Sequence, residues 1–177
     1  MPNYHRVFIE NSYIFITIRT YKRNLILIKE IDLLRESFKR AKSTYDYEIY
    51  ASVILPDHMH LILIPKNIKD YPKIIFAVKY HFSRSLNIKD KNLSKSKIKK
   101  GEKGIWQRRY WEHTILNEKD LYNHLDYIHY NPIKHSHVRN VKDWEYSSFH
   151  KFVRLGYYEP KWGCQDDVKG IINLDFE

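Results

Sequence analysis

The spacing of apolar residues along the chain changes several times between the two periods that distinguish strands from helices. Segments dense in β-branched and aromatic residues predict strands: residues 6–20, 47–55, the segment that follows Pro56-Asp57, and 105–115. Apolar residues that recur every three or four positions predict helices with one buried face: residues 29–43, 71–87, and a third helix from its N-cap Asn117 to Pro132. A short further helix is expected within residues 144–152.

The order of the first seven elements, β-α-β-β-α-β-α, predicts an α+β fold. It is the order of a ferredoxin-like or RRM-like domain, in which helices pack on one face of an antiparallel sheet. The other face of the sheet is then expected to be open to a ligand. We expect one domain over residues 1–155 and a C-terminal tail over residues 156–177, whose role the pattern does not indicate.

Two histidines, His58 and His60, occupy alternate positions of the strand that follows Pro56-Asp57. Alternate side chains of a strand point to the same face, so the two imidazoles are expected to project together while Met59 and Leu61 face a core. Two neutral imidazoles and one oxygen ligand suit a divalent metal ion. The alternative is an ordinary strand that carries two half-exposed histidines.

A stripe of polar residues on the third helix includes Tyr127 and Asn131, which are four residues apart and therefore neighbours on one face. A tyrosine hydroxyl can act as a covalent nucleophile, and a metal ion can polarise a phosphodiester for its attack. Two other roles are compatible with the pattern. Tyr127 can be a packed helix tyrosine, since the chain has 15 tyrosines, and Asn131 can cap the helix before Pro132.

The charge and the aromatic content indicate a polyanionic partner. Lys and Arg outnumber Asp and Glu by 31 to 21, which gives a net charge of +10, and aromatic residues make up 15% of the chain. Nucleic acid is the commonest such partner. Basic and aromatic side chains alternate over 105–115, where they suit phosphate pairing and base stacking, unless the aromatics are buried in the core. The candidate DNA-binding residues are Trp106, Arg108, Arg109, Tyr110 and, further along, Lys134, with the basic loop 89–104.

Several classes of protein are excluded or disfavoured by composition. The single Cys164 excludes an intramolecular disulfide and a cysteine zinc cluster. No stretch reaches the ~18 apolar residues of a membrane span, and the first residues lack a cleavable apolar leader. We therefore expect a cytoplasmic protein that does not contact a membrane.

Four motifs in order make the chain similar to the HUH-type single-tyrosine transposases, a family of IS200-like enzymes, and most similar to the REP-associated tyrosine transposases. The motifs lie within residues 5–160 and are Leu55–Leu61, Trp106–His113, Asp126–His135 and Asp143–Phe149. The resemblance implies an enzyme, a DNA transposase and endonuclease that cleaves and rejoins single-stranded DNA next to REP hairpins through a 5′-phosphotyrosine intermediate.

The resemblance also implies roles for individual residues. It implies His58 and His60 as metal ligands, Asn131 as the third ligand and Tyr127 as the nucleophile, with Mg²⁺ or Mn²⁺ as the metal. Many relatives have Gln where this chain has Asn131, whose side chain is one methylene shorter. Some relatives act as dimers that exchange tyrosine helices and others as monomers, so a monomer or a homodimer is expected here. The alternative function is a non-catalytic RRM-like binder of structured single-stranded nucleic acid.

Overall fold

A four-stranded antiparallel sheet forms the centre of the computed structural model, which describes residues 8–86, 93 and 95–164. The strands are β1 (Ile14–Arg19), β2 (Tyr47–Ile54), β3 (His58–Pro65) and β4 (Trp111–Thr114). Their order across the sheet is β2-β3-β1-β4. This strand order, with the two helical crossovers described next, confirms the predicted ferredoxin-like α+β fold.

Helices connect the strands and extend beyond them. Within the described residues they are α1 (Ile31–Lys42), α2 (Tyr71–Ser85), α3 (Lys95–Lys99), α4 (Glu118–Lys134) and α5 (Phe149–Arg154). Single 3-10 turns lie at Tyr21–Arg23, Ile68–Asp70 and Val141–Asp143. Asn117 caps α4 as predicted, because its side chain accepts a hydrogen bond from the Asp120 N–H. No helix in this part of the chain combines the length and the apolar character needed to cross a bilayer.

The first face of the sheet packs against α1 and α2, as the fold class predicts. The inward side chains alternate along the strands, so Ile16 of β1 and Leu61 of β3 meet Leu34 of α1 and Val78 of α2 in one buried core. Each fully buried side chain of this size stabilises the fold by about 1.5–3 kcal/mol. This core holds the sheet and its two crossover helices together.

The second face of the sheet, which was expected to be open to a ligand, is covered by α4 and α5. Phe15 of β1 and Ile62 of β3 pack there against Leu125 and Ile128 of α4 and Phe152 of α5. The reason is visible in β1 and β3, which carry apolar side chains on both of their faces. A strand of that kind is stable only when both faces are covered.

Two predicted elements differ from the structure in their bounds. The strand predicted over 105–115 is only Trp111–Thr114, although Trp106 makes a separate bridge with Thr20. Trp111 pairs with Thr17 of β1, so the five steps from Trp106 to Trp111 match only three steps from Thr20 to Thr17, and the extra residues form a bulge. The third helix continues past Pro132 to Lys134, because proline removes only one helical N–H and His135 N still donates to the Asn131 carbonyl.

The motif Asp143–Phe149 closes the exposed edge of the sheet. Ile54 N donates to Tyr146 O over 2.8 Å, and Trp144 Nε1 donates to Ile54 O over 3.0 Å. Ser148 Oγ accepts from Ser52 N over 2.9 Å and also lies 2.9 Å from His129 Nε2 on α4. The segment therefore satisfies the edge of β2 and ties it to α4, which protects the edge from pairing with other chains.

The segment that was predicted to begin a separate tail at residue 156 packs against the domain over the part that the structure describes. Tyr158 donates to Asp126 Oδ1 over 2.8 Å, and its ring centroid lies 4.5 Å from that of Trp162. Residues 165–177 lie outside the described residues, as do residues 1–7 and residues 87–92 and 94, which include part of the basic loop. The domain boundary at residue 155 stays a prediction.

The buried His129 predicts a loss of stability in acid. Burial lowers the pKa of His129 from 6.5 to about 3, so the folded state keeps the ring neutral while the unfolded chain takes up a proton. This stability is complete above the unfolded pKa and is lost as the pH falls. The expected loss is about 1.4 kcal/mol per pH unit from about pH 6.5 down toward the folded pKa.

Urea unfolding at a series of pH values measures this loss. The variant His129→Gln, whose amide can still donate to Ser148, should show a smaller pH slope, whereas the surface control His150→Gln should keep the slope of the parent. Equal slopes for His129→Gln and the parent would contradict the assignment.

Candidate active site

The two histidines of β3 lie together in the interface between the sheet and α4. Their rings project from the same face, as the alternation predicted, with centroids 5.1 Å apart. Both side chains are buried, rather than half-exposed as in the alternative of an ordinary strand. Buried polar rings are stable only with hydrogen-bond partners or a ligand, so their surroundings decide what they can do.

Hydrogen bonds to the Nδ1 atoms orient both rings. His58 Nδ1 lies 2.7 Å from Asp57 Oδ1, and His60 Nδ1 lies 2.8 Å from Thr17 Oγ1. A ring that donates its Nδ1–H carries its lone pair on Nε2, which is the arrangement of histidines that ligate metals. The Nε2 atoms of both rings are buried from solvent.

Asp57 was predicted only as a turn residue, but the structure makes it the orienting carboxylate. Burial raises the pKa of Asp57, yet the hydrogen bond and the electrostatic attraction to the His58 ring, together with the charge of Arg23, outweigh this and lower the pKa overall. The carboxylate therefore stays ionised at neutral pH and accepts from His58. Its position directly before the histidine pair was a signal in the sequence for this role.

Helix α4 brings the predicted tyrosine to the histidine pair. The ring centroid of Tyr127, which is fully buried, lies 5.1 Å from that of His60. His135, the C-cap residue that follows α4, also reaches the pair, since its ring centroid lies 4.8 Å from that of His58. Asn131 lies four residues after Tyr127, so the helical period places it on the side of α4 that carries Tyr127.

Asn131 has the environment of a ligand-binding residue. Its side chain is fully buried, and neither Oδ1 nor Nδ2 has a hydrogen-bond partner among the described residues. A buried amide left in this way costs about 1–3 kcal/mol. The alternative role of helix cap is wrong, because α4 continues beyond Asn131 and its C-cap is His135. Two imidazole nitrogens and one amide oxygen form a donor set that fits a divalent ion such as Mn²⁺.

Lys134 lies beside the tyrosine. Its Nζ donates to the Tyr127 hydroxyl over 3.3 Å and lies 4.8 Å from the centroid of the tyrosine ring. The residues are seven positions apart on α4, which places them on one stripe two turns apart. The sequence suggested only a phosphate contact for Lys134, and this arrangement gives it a second candidate role.

A second group of metal-ligating side chains lies at the start of α4. Ligand atoms of His113, Asp120 and His124 all fall within 4.8 Å of one another. These atoms already bond to one another, since His113 Nε2 lies 2.8 Å from Asp120 Oδ2 and His124 Nδ1 lies 3.0 Å from Asp120 Oδ1. His124 Nδ1 also reaches the Asp120 carbonyl over 2.8 Å. These three side chains therefore hydrogen-bond to one another and form a second candidate set of metal ligands.

The predicted DNA-binding residues before β4 do not form one surface. Trp106 is only 7% exposed and packs against Phe82 with ring centroids 5.2 Å apart, so its place is in the core. Tyr110 is half-buried and packs against the first core.

The two arginines of this segment lie at the surface. Arg108 donates to Glu102 and to Ser96, and Arg109 is exposed. Phosphate contacts by Arg108 and Arg109 stay predictions.

Comparisons with known proteins identify the class of this fold and site, which is that of the tyrosine transposases. The family described as "Transposase IS200 like" matches residues 8–131. The chain belongs to this family, and it is an enzyme of the transposase class.

Individual relatives span nearly the whole chain. A protein of Haemophilus influenzae, provisionally named a REP-associated tyrosine transposase, is 43% identical and covers 96% of this chain and 97% of its own length. The REP-associated tyrosine transposase of Escherichia coli K12 is 34% identical over 92% of this chain and 91% of its own length. A solved REP-associated tyrosine transposase bound to a REP hairpin has a TM-score of 0.75 at 34% identity, with 92% and 91% of the chains covered.

Proposed function

We propose that this enzyme is a metal-dependent transposase that cleaves and rejoins single-stranded DNA next to hairpins, with Tyr127 as the nucleophile. The observation that carries the proposal is the contact between the Tyr127 ring and the His60 ring within one chain. Further support comes from the solved relative, which is bound to a REP hairpin. The net charge of +10 favours a polyanionic substrate of this kind.

The proposed reaction is an exchange of phosphodiester bonds. The Tyr127 oxygen attacks the phosphorus, the bond from phosphorus to the 3′ oxygen breaks, and the 3′ oxygen leaves with a proton as a free hydroxyl. The 5′ phosphate stays on the tyrosine until a 3′ hydroxyl attacks it and reverses these steps. No net phosphodiester bond is lost, so the reaction needs no external energy source.

The residues around Tyr127 divide the remaining tasks. Lys134 places a positive charge against the phenol oxygen, which stabilises the negative charge that develops there as the proton leaves. Asp57 and Thr17 hold the two imidazoles in one orientation. A divalent ion held by His58, His60 and Asn131 would polarise the phosphate. Since the tyrosine and the histidines belong to the same chain, we propose that Tyr127 acts in cis and that a monomer suffices.

Tyr127→Phe is expected to bind hairpin DNA as the parent does but to form no covalent adduct, because it lacks only the attacking oxygen. A denaturing gel with end-labelled single-stranded hairpins measures the adduct. The matched control is Tyr122→Phe, on an exposed position of the same helix, which should form the adduct normally. Adduct formation by Tyr127→Phe would refute the assignment of Tyr127 as the nucleophile. If the parent forms no adduct with any substrate, the result would favour the alternative of a non-catalytic binder.

Metal binding is expected to depend on Asn131 and the two histidines of β3. It is not expected to depend on the second group of metal-ligating side chains, at the start of α4. Thermal unfolding with and without Mn²⁺ measures this without relying on activity. The parent should gain about 2.7 kcal/mol at a Mn²⁺ concentration of about 100 times Kd. His58→Gln and Asn131→Ala should lose this gain, and His113→Ala should keep it. The opposite pattern would assign the metal to His113, Asp120 and His124.

Lys134→Met separates two roles for this residue. If Lys134 stabilises charge on the phenol oxygen, the rate of adduct formation at saturating DNA should fall by about 100-fold or more, with partial recovery in Lys134→Arg. If Lys134 instead contacts a phosphate, the DNA affinity should fall. The number of counterions released on binding, which is read from the salt dependence of the affinity, should also decrease by about one. A variant with parental rate and lowered affinity would therefore contradict the proposed role.

A further inference from the structure

The outer surface of α2 carries two exposed aromatic rings that stack on each other. Phe76 is 70% exposed and Tyr80 is 45% exposed, although both are large and flat. They lie one turn apart on the helix, with ring centroids 6.1 Å apart and planes 16° from parallel. Large apolar groups grouped at the surface mark interaction sites more often than scattered ones do.

A cavity of about 810 Å³ lies beside these rings, between α2 and residues 100–108. Buried side chains, including Ile75 and Ile105, contribute to its lining. The opposing segment is held to α2 because Lys79 Nζ donates to Gln107 O over 2.6 Å. A volume in this range accommodates a small planar ligand.

The residues that line the cavity are strongly basic. Five cationic side chains and one carboxylate contribute to the lining: Lys79, Arg84, Lys100, Lys103, Arg108 and Glu102. Arg84 also donates to the Tyr80 hydroxyl over 2.7 Å, with its guanidinium carbon 5.9 Å from the centre of the ring. Stacked rings beside a group of cations are typical of sites that bind an unpaired base and its phosphates.

The cavity wall is linked directly to the end of the sheet that carries the histidine pair. Gln107 N donates to Arg19 O over 3.0 Å, and Arg19 pairs with His58 across β1 and β3. Only Arg19 of β1 therefore separates the backbone of the cavity wall at Gln107 from that of His58.

We propose that this cavity binds an unpaired nucleobase of single-stranded DNA, stacked on Phe76 and Tyr80, with Arg84 and the neighbouring lysines on its phosphates. The proposal rests on the proposed function and adds a subsite to it. A flexible peptide would also find apolar surface here. However, the excess of cations over one carboxylate and the flat, parallel rings favour a base with its phosphodiester.

The test uses the full chain and a short unstructured oligonucleotide that carries one 2-aminopurine, whose fluorescence is quenched when it stacks. The parent should quench the probe on binding. Phe76→Ala and Tyr80→Ala should weaken binding by about 10-fold or more, the usual cost of losing one stacked base. Phe76→Leu, which keeps apolar bulk without a flat ring, should also lose the quenching. The control Tyr122→Ala removes a similarly exposed aromatic from α4 and should behave as the parent.

Two results would overturn the proposal. One is a parent that binds the probe without quenching at any position of the 2-aminopurine. The other is a loss of affinity in Phe76→Ala and Tyr80→Ala no larger than in Tyr122→Ala, as expected if the cavity takes a peptide. Adduct formation on hairpins is measured separately from quenching. If quenching disproves this subsite, the assignment of Tyr127 as the nucleophile is unaffected. If the adduct gel disproves that assignment, the quenching result can still be interpreted.

Discussion

The burial of polar side chains between β3 and α4 is the constraint on which the rest of this structure depends. Two imidazoles and one amide lie in an interface that also contains part of the second hydrophobic core. Such groups are stable there only when their polar atoms are satisfied. Asp57 and Thr17 meet this need at the Nδ1 atoms of the imidazoles, and the proposed metal ion would meet it for the amide of Asn131, which has no hydrogen-bond partner among the described residues.

The position of α4 is held at several points along its length. Leu125 and Ile128 anchor it on the apolar second face of the sheet, and His129 joins it to Ser148 in the segment that closes the edge of β2. The motif Asp143–Phe149 thus has a structural explanation, since it fixes the helix that carries Tyr127. A shift of α4 by one turn would separate Tyr127 from His60, so accurate packing of this helix is a requirement of the proposed chemistry.

The two proposed contacts with DNA use different layers of the same fold. Tyr127 and the histidine pair lie on the face covered by α4, and the stacked rings of Phe76 and Tyr80 lie on α2, which covers the opposite face. The end of β1 at Arg19 joins the two regions through its backbone bonds. A compact domain could in this way hold a hairpin-flanking strand at two separated points, one for chemistry and one for positioning.

Local periodicity was sufficient to predict much of this protein. The two-residue period of a strand put His58 and His60 on one face, and the helical period put Tyr127 and Asn131 on one stripe. Only the tertiary structure decided which elements those faces meet. It covered the second face of the sheet with α4, buried Trp106 and left Phe76 and Tyr80 exposed. The physical reason is that periodicity orients a side chain relative to its own element, whereas its neighbours depend on how distant elements pack.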